Sequence, residues 1–369
     1  MMETKTIREL CDIVVDCPHS TPKWTTSGKI VIRNNNIKKG RIDFSSPSYT
    51  DDEHFNLRVK RAIPRSGDII ITREAPMGEV GMIPERIECC LGQRMVLLRT
   101  NPDICDNYYL LYSLQSKFVQ HQISWSEGTG TTVSNLRIPH LEQLKIPYVP
   151  LKKQRLVASV LKSIEEKIIL NEQINNNLEQ QAQAIYSRMF IEHRQESWST
   201  GQLSDLISVK YGKDHKKLAD GNYPVYGSGG IMRYVEKPLY TGESVLIPRK
   251  GTLNNVMYVN EAFWSVDTMF YTEMLRPNIA KFVYHFVKSK DLASLNAGSA
   301  VPSMTTNILN AMQLYIPDEK TLEKFENIVS PMYSAMQENT KESKILANTR
   351  DALLPKLMSG ELDVSNIDL

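Results

Sequence analysis

The sequence predicts an α+β fold of two repeated α/β units, each followed by a long helix, with the two helices paired as an antiparallel coiled coil. Two observations support this prediction: a segment that occurs twice, and a heptad pattern that follows each copy. The stretch LRIPHLEQLKIPYVP (136–150) matches TNILNAMQLYIPDEK (306–320) at a shift of 170 residues. Repetition at so long a spacing indicates that a whole structural unit is duplicated.

The predicted helices are defined by their apolar seams. In the first helix, apolar residues recur in steps of three and four at Val157, Leu161, Ile164, Ile168, Leu178, Ala182, Ile185 and Met189. A shift of 168 residues, or 24 heptads, places the second seam at Phe325, Val329, Met332, Met336, Leu346, Arg350, Leu353 and Leu357. A stripe of this period keeps one face of a long helix against a partner helix.

Polar residues interrupt both seams at their middle, at Asn171 and Asn175 in the first helix and at Asn339 and Ser343 in the second. Such residues reduce stability but fix register and orientation. We therefore predict that the two helices pair with each other and that these four residues set their register. The alternative is that each helix packs only on its own globular unit.

These patterns divide the chain into four parts: a first unit at 1–150, a helix at 151–192, a second unit at 193–317, and a helix with a C-terminal tail at 318–369. Within the units, short β-branched and aromatic runs alternate with Gly, Pro and Asn turns, which favours a mixed α/β or mostly β fold. GKIVIRNNN (28–36) lies over GNYPVYGSG (221–229), a match that places Arg33 opposite Tyr226.

Composition excludes several classes of protein. No apolar run approaches the roughly 18 residues of a membrane span, and the polar start MMETKTIREL is not a signal peptide. Five cysteines, an odd number, favour a cytoplasmic protein with reduced thiols. A zinc site at Cys11, Cys17 and His19 is an alternative that no CxxC pair supports.

Charge is distributed unevenly along the chain although the net charge is only +2. Residues 29–41, 58–65 and 210–217 are basic, whereas residues 317–369 carry ten acidic against six basic side chains. Basic patches of this kind indicate either local contact with nucleic acid or simply solvated surface loops.

The order of unit, helix, unit and helix resembles the DNA-specificity subunit of type I restriction–modification systems. The motifs that carry the resemblance are DCPHSTP (16–22), GDIIITREAPMG (67–78), LGQRMVLL (91–98), GTGTTVSNLRIPHLEQLKIP (128–147), YPVYGSGGI, VLIPRKGTLNNVMY and LLPKLMSGELDV. The resemblance implies two target-recognition domains, each reading one half of a split site in double-stranded DNA. It also implies that the coiled coil sets their spacing and docks two methyltransferase subunits, with restriction and translocase subunits joining the complex.

Three common catalytic motifs are absent from the sequence. It has no Pro-Pro pair of an amino-methyltransferase, no GxxxxGK[ST] of a translocase and no GxSxG of a hydrolase. We therefore predict a non-catalytic DNA-binding subunit that needs no cofactor and no metal. The alternatives are an orphan or decayed coiled-coil scaffold that binds only proteins, and an enzyme with an unrecognised site.

The candidate DNA-reading residues are polar side chains at strand ends beside glycine turns. Arg and Lys pair with guanine, and Asn and Gln with adenine, whereas a phosphate contact positions without specifying. In the first unit the candidates are Arg33, Asn34, Asn35, Asn36, Arg73, Glu74, Gln93 and Arg94, with Lys23, Lys38, Lys39 and Arg41 assigned to phosphates. In the second unit they are Tyr226, Ser228, Arg249, Lys250, Asn254 and Asn255, with Lys210, Lys213 and Lys216 assigned to phosphates.

Two further expectations concern loops. Thr131, Thr132, Ser303 and Thr305 lie on the repeated loop that enters each helix, where they are expected to contact the DNA backbone. The glycines of YPVYGSGG (223–230) lack the third glycine of a dinucleotide turn and the GK[ST] of a P-loop. We expect them to bring Tyr226 close to DNA. Glu74 either accepts from cytosine or orients Arg73.

Overall fold

The computed structural model describes residues 3–38, 40–125, 135–295 and 303–362. The chain divides into two compact units, of which unit 1 comprises residues 1–170 and 341–369 and unit 2 comprises residues 171–340. Each unit therefore contains one globular part and a portion of each long helix. In the described ranges, no helix is both long enough and apolar enough to cross a membrane.

Unit 1 is built around a four-stranded antiparallel sheet. The strands of unit 1 are β1 (Thr4–Thr6), β2 (Cys11–Asp16), β3 (Lys29–Ile32), β4 (Ile37–Lys38), β5 (Arg41–Ile42), β6 (Ser48–Thr50), β7 (Ile69–Thr72), β8 (Val80–Met82), β9 (Cys89–Leu91), β10 (Met95–Thr100) and β11 (Lys145–Pro147). The helices of unit 1 are α1 (Ile7–Leu10), α2 (Asp52–Arg58), α3 (Asn107–Gln115), α4 (Lys117–Ser124), α5 (Ile138–Glu142), the first part of α6 (Leu151–Tyr186) and the end of α9 (Glu319–Ser359). The main sheet has the order β2-β10-β7-β8, and a second sheet has the order β6-β3-β9.

Unit 2 has one larger sheet. The strands of unit 2 are β12 (Ser199–Gln202), β13 (Ile207–Tyr211), β14 (Asp220–Gly227), β15 (Gly230–Val235), β16 (Tyr240–Pro248), β17 (Met257–Ser265), β18 (Met269–Met274) and β19 (Gln313–Ile316). Its helices are the end of α6, α7 (Ala280–Lys288), α8 (Thr306–Asn310) and the first part of α9 (Glu319–Ser359). The six-stranded sheet has the order β13-β18-β16-β17-β14-β15.

The two globular parts repeat the same strand pairings, which confirms the predicted duplication. The strand at the start of each part pairs with the strand that precedes its long helix, β1 with β11 and β12 with β19. β2 lies antiparallel to β10 as β13 lies to β18. β3 runs parallel to β9 as β14 runs parallel to β17. Unit 1 differs in carrying the additional segment that contains β6 and α2.

Hydrogen bonds define the correspondence residue by residue and correct one prediction. The Gly92 amide donates to the Ile32 carbonyl at 2.7 Å, and the Val266 amide donates to the Tyr226 carbonyl at 3.1 Å. Ile32 therefore corresponds to Tyr226, and the prediction that set Arg33 opposite Tyr226 is wrong by one residue. Because successive side chains of a strand face opposite sides, this shift explains why Tyr226 is buried, as Ile32 is.

The two long helices are antiparallel, as predicted. In unit 1, Val157 and Leu161 near the start of α6 share a buried cluster with Leu357 near the end of α9. In unit 2, Ala182 near the end of α6 shares a cluster with Phe325 near the start of α9. The start of each helix thus packs with the end of the other.

The polar residues of the seam form hydrogen bonds across the helix pair in unit 2. Asn339 Nδ2 donates to Asn175 Oδ1 at 2.9 Å, and Asn175 Nδ2 donates to the Met336 carbonyl at 3.2 Å. Asn171 is fully buried and donates to the Asn339 carbonyl at 3.4 Å. The fourth predicted register residue, Ser343, belongs to unit 1. This geometry is compatible with a role in setting register, which stays a prediction.

A buried histidine joins α7 to both long helices in unit 2. His285 Nδ1 lies 2.7 Å from Gln183 Oε1 of α6, and Nε2 lies 2.9 Å from the Tyr333 hydroxyl of α9. Burial lowers the pKa of His285 to about 4, because the buried imidazolium would lose its hydration. Glu179 opposes this shift and Lys288 adds to it. The neutral ring is therefore the form that holds these helices together at pH 7.

The depressed pKa predicts a loss of stability in acid. Between about pH 6.5 and pH 4 the unfolded chain binds a proton at His285 that the folded chain does not, so the free energy of unfolding falls as the pH falls. The complete loss corresponds to roughly 3 kcal/mol. We expect the urea midpoint, followed by circular dichroism, to fall more steeply across this window in the wild type than in His285→Gln, whose side chain does not titrate. Equal falls in the two proteins would contradict the prediction.

Candidate nucleic-acid interface

In unit 1, hydrogen bonds join four loops, which follow β2, β3, β7 and β9. Asn34 Nδ2, after β3, donates to the carbonyl of Glu74, after β7, at 2.8 Å. The Glu74 carboxylate lies 3.1 Å from Nε of Arg94, after β9. Gln93, beside Arg94, donates to the carbonyl of His19 in the loop after β2. The structure thus brings four predicted residues from three loops together. We call residues 16–22, 33–36, 73–78 and 92–94 the loop cluster of unit 1.

Several predicted residues of this cluster and its margin are exposed. Arg33, Asn35 and Arg94 have exposed side chains. So do the two predicted phosphate contacts Lys23 and Lys38, although Lys23 Nζ lies 3.2 Å from a carboxylate oxygen of Asp51. These side chains are available to a partner in solution. Lys39, Thr131 and Thr132 lie outside the described residues.

Asn36 has a different place from its neighbours. Its side chain is buried, accepts from the Arg33 amide at 2.9 Å and donates to the Asp43 carbonyl at 3.1 Å. These bonds close the short 3-10 turn Asn34–Asn36 and leave Asn35 at its exposed tip. Asn36 therefore shapes the loop that presents the other residues.

Arg73, predicted as a base-reading residue, is occupied inside unit 1. Its Nη1 pairs with the Asp16 carboxylate at 2.9 Å, Nε donates to the Leu136 carbonyl at 2.9 Å, and Nη2 donates to Asn135 Oδ1 at 3.2 Å. Only 11% of the side chain is exposed. Reaching a base would break a buried ion pair, so we assign Arg73 to the framework of the cluster.

Arg41 is also held internally, against the prediction of a phosphate contact. Its guanidinium pairs with Glu165 of α6, and that carboxylate also pairs with Arg350 of α9 at 2.6 Å. Arg41 therefore ties the β4–β5 hairpin to both long helices of unit 1.

Unit 2 repeats this arrangement with other side chains. The Arg249 amide donates to the Thr268 carbonyl at 2.9 Å, as the Arg73 amide donates to the Arg94 carbonyl at 2.8 Å. The Met304 amide donates to the Arg249 carbonyl at 2.9 Å, the counterpart of the Leu136 bond to Arg73 in unit 1. We call residues 211–217, 227–230, 249–255 and 265–268 the loop cluster of unit 2.

Two loops of the unit 2 cluster touch at a glycine. Asn255 Nδ2 donates to the Ser228 carbonyl at 2.7 Å. Gly251 has a φ of +87°, and a Cβ added there would lie 2.9 Å from Ser228 Oγ. Glycine therefore permits both the backbone conformation and the close approach. The structure thus brings Ser228 and Asn255 together beside Arg249 and Lys250, of which Lys250 is exposed.

Two predicted residues of unit 2 are engaged by groups of their own unit. Tyr226 is buried, and its hydroxyl donates to Glu261 Oε1 at 2.6 Å, so burial and the adjacent carboxylate raise the pKa of this phenol. Asn254 donates to Asp291 Oδ1 at 3.1 Å and accepts from the Ala293 amide at 3.0 Å. Tyr226 thus braces its strand, and Asn254 holds the segment after α7.

The remaining predicted residues lie at the margin of the unit 2 cluster. Lys213 and Lys216 are exposed, whereas Lys210 is half-buried with Nζ 3.6 Å from a Glu273 carboxylate oxygen. Ser303 forms a backbone bridge with Lys250. Thr305 caps α8 by accepting from the Ile308 amide at 3.3 Å, so its hydroxyl serves the helix.

Arg58 links loops of the unit 1 cluster. The sequence pattern indicated it only as part of the basic patch 58–65 and not as a functional residue. It is 8% exposed and lies at the end of α2. Its guanidinium donates to the carbonyls of Leu91 at 2.8 Å and Gly92 at 2.8 Å, and to those of Ser20 at 2.9 Å and Pro18 at 3.1 Å. Burial lowers the pKa of Arg58. One side chain thus links two loops of the cluster.

In the described ranges, no group of three or more His, Cys, Asp or Glu side chains could hold a metal ion. Cys17, part of the alternative zinc set, is buried, and its Sγ accepts from the Met95 amide at 3.2 Å. His19 instead lies 3.1 Å from the carboxylate of Asp16.

The four carbonyl contacts of Arg58 predict that lysine cannot replace it. The Arg58→Lys ammonium has only three donors on a compact head, which cannot reach four carbonyls in two loops. We expect the free energy of unfolding to fall by about 2–4 kcal/mol and amide exchange at residues 91–94 to accelerate. Arg65→Lys, at an exposed position, is the matched control. Equal unfolding curves for the two variants would contradict this assignment.

Comparison with known proteins gives consistent matches. The family model described as the type I restriction modification DNA specificity domain matches residues 2–180 and again residues 195–346. The type I restriction enzyme MjaIX specificity subunit of Methanocaldococcus jannaschii is 21% identical, with 95% of this chain and 88% of that protein covered. A putative type I specificity subunit of Mycoplasma pneumoniae is 27% identical, with 68% of this chain and 71% of that protein covered.

A solved structure shares the fold. The crystal structure of a type I restriction–modification system S subunit from M. genitalium matches with a TM-score of 0.59 at 21% sequence identity. The match covers 97% of this chain and 96% of that one.

Proposed function

The chain belongs to the type I restriction–modification DNA specificity family, and from this premise we propose that each of its loop clusters reads one half of a bipartite DNA target. In this proposal the chain supplies recognition to a type I complex, and other subunits supply the chemistry. The target is double-stranded DNA, since the loops present side chains suited to base edges in the major groove.

The observation that supports this proposal is a constant framework with variable side chains. The backbone hydrogen bonds around Arg73 recur around Arg249. With the corrected register, the exposed turn of Arg33 and Asn35 in unit 1 corresponds to Gly227 and Gly229 in unit 2. A shared framework with different donors suits two half-sites of different sequence, because base identity is read by side-chain donors and acceptors.

The proposed contacts are fewer than the sequence predicted. In unit 1 we assign base reading to Arg33, Asn34, Asn35, Glu74, Gln93 and Arg94, with Lys23 and Lys38 on phosphates. In unit 2 we assign it to Ser228, Arg249, Lys250 and Asn255, with Lys210, Lys213 and Lys216 on phosphates. Arg73, Asn36 and Tyr226 are assigned to the framework because their side chains are largely buried with their polar groups engaged internally. Asn254 joins them because both ends of its amide are hydrogen-bonded within unit 2.

The helix pair is proposed to set the spacing of the half-sites and to dock two methyltransferase subunits, through which the restriction and translocase subunits join. The seam from Val157 to Met189 spans 33 residues, about 50 Å at a rise of 1.5 Å per residue. The 168-residue repeat gives the helix pair two similar faces, which suits two copies of one partner.

Half-site specificity should respond to one unit at a time. In complexes with the methyltransferase, Arg94→Ala should relax only the half-site read by unit 1, and Lys250→Ala only the other. A lost bidentate base contact lowers discrimination by about 1–3 kcal/mol. Mapping methylated bases in DNA from cells that express each variant measures both halves at once, with Arg65→Ala as the control.

Relaxation of both halves by either variant would contradict this division of labour. Affinity for DNA must also fall steeply between low and moderate salt, because bound phosphates release counterions. A flat salt dependence would favour the protein-binding scaffold instead.

Spacing should follow the length of the helix pair. We expect insertion of one heptad into both helices, after Asn175 and before Asn339, to keep the seam in phase and lengthen each helix by about 10 Å. The preferred spacer should grow by about three base pairs, at about 3.4 Å per base pair, with both half-sites unchanged. Methylation mapping would show this, and an unchanged spacer would rule out the coil as the ruler.

A further inference from the structure

Each unit holds one arginine of its loop cluster over an exposed aromatic ring. In unit 1 the guanidinium carbon of Arg33 lies 5.3 Å from the ring centroid of Trp24, and in unit 2 that of Arg249 lies 5.3 Å from the ring centroid of Tyr211. The rings are 47% and 52% exposed. We propose that Trp24 and Tyr211 are positioning residues for specificity, each holding its arginine for a guanine edge. This inference rests on the proposed function.

The ring of Trp24 is attached to a fixed piece of backbone. The Thr25 amide donates to the Tyr49 carbonyl at 3.1 Å, and the Thr50 hydroxyl donates to the Lys23 carbonyl at 2.7 Å. Both bonds lead to β6, which pairs with β3, the strand that ends just before Arg33. Ring and arginine therefore stand on paired elements of one sheet.

The ring of Tyr211 packs on a buried aromatic side chain of its own unit. Tyr211 ends β13, and its ring packs edge to face on Phe270, which is fully buried, with centroids 5.0 Å apart. Arg249 is fixed by its amide bond to Thr268, and its Nη1 donates to the Asp267 carbonyl at 3.3 Å. The remaining guanidinium donors form no hydrogen bond with the described residues.

The equivalent position in unit 1 shows what the ring contributes. Tyr211 pairs with Phe270 as Asp16 pairs with Val96, and Arg249 corresponds to Arg73. In unit 1 the arginine therefore meets a carboxylate, which neutralises its charge and accepts from Nη1, while the Leu136 carbonyl and Asn135 accept from its other donors. An aromatic ring instead attracts the guanidinium through its face and leaves the in-plane donors free. Those donors form the fork that fits guanine O6 and N7.

The two stacked arginines come from different loops, Arg33 from the loop after β3 and Arg249 from the loop after β16. Because the two arginines are not at equivalent positions, duplication alone does not explain why each unit has an arginine over an aromatic ring. A cation–π contact at an exposed site corresponds to about two- to five-fold in an equilibrium constant. We expect each ring to contribute that factor to discrimination in its own half-site.

The test uses the assembled complex with its methyltransferase subunits. Competition binding would compare the cognate duplex with duplexes that carry single base substitutions in either half-site. Trp24→Ala and Trp24→Leu should lower discrimination two- to five-fold in the half-site of unit 1 only, and Tyr211→Ala in that of unit 2 only. Trp24→Phe and Tyr211→Phe should retain most of it, since each keeps an aromatic face. Trp125→Ala is the control, because Trp125 is 79% exposed and packs beside His121.

A positioning role also predicts coupling. In an Arg33→Ala background, Trp24→Ala should have no further effect, because the side chain that it orients is gone. An undiminished effect would mean that the ring contacts DNA by itself and would overturn the inference. So would equal losses in the Phe and Leu variants, or losses in both half-sites. Absence of specific binding by the wild-type complex would instead overturn the proposed function.

Discussion

Both units depend on the antiparallel packing of the two long helices, because each globular part completes its core with a segment from each helix. In unit 1, Tyr109 packs with Val157 of α6 and Leu357 of α9. In unit 2, Phe282 takes the corresponding place with Ala182 of α6 and Phe325 of α9. Neither globular part can bury its apolar helix with residues adjacent in sequence alone. The duplicated element, a globular part followed by a long helix, therefore needs the long helix of the other copy to complete its core.

The polar contacts between the helix segments and the globular part differ between the two units. Each helix segment therefore matches the globular part of its own unit. In unit 1, the Glu165 carboxylate forms ion pairs with Arg41 and Arg350. The residue 168 positions later is Tyr333, which in unit 2 meets the neutral ring of His285. Removing one partner from a buried charged contact is strongly destabilising. An exchange of the two helix segments would leave these groups unpaired, so the contacts favour one pairing of segments with globular parts.

The fold was predictable because its signals are local and periodic, whereas the site depends on distant pairs. The seams from Val157 and Phe325 could be found from spacing alone. The ion pair of Arg73 with Asp16 joins residues 57 positions apart, and no local pattern announces it. The one-residue error at Tyr226 arose because a short strand offers too few residues to fix which side faces the core. Arg58 was hidden in a basic run, where only burial distinguishes it from its neighbours.

Charge counts therefore identify the basic regions of this chain but not the residues proposed to read DNA. Arg41, Arg58 and Arg73 all belong to unit 1, and each has its donors engaged by carboxylates or backbone carbonyls. What distinguishes Arg33 and Arg249 is a partner that holds the guanidinium by its face. On this reasoning a half-site is set as much by the groups that neutralise arginines as by the arginines themselves. At the position shared by Asp16 and Tyr211, a carboxylate in unit 1 accepts from Arg73, whereas a ring in unit 2 leaves donors of Arg249 to the proposed DNA contact.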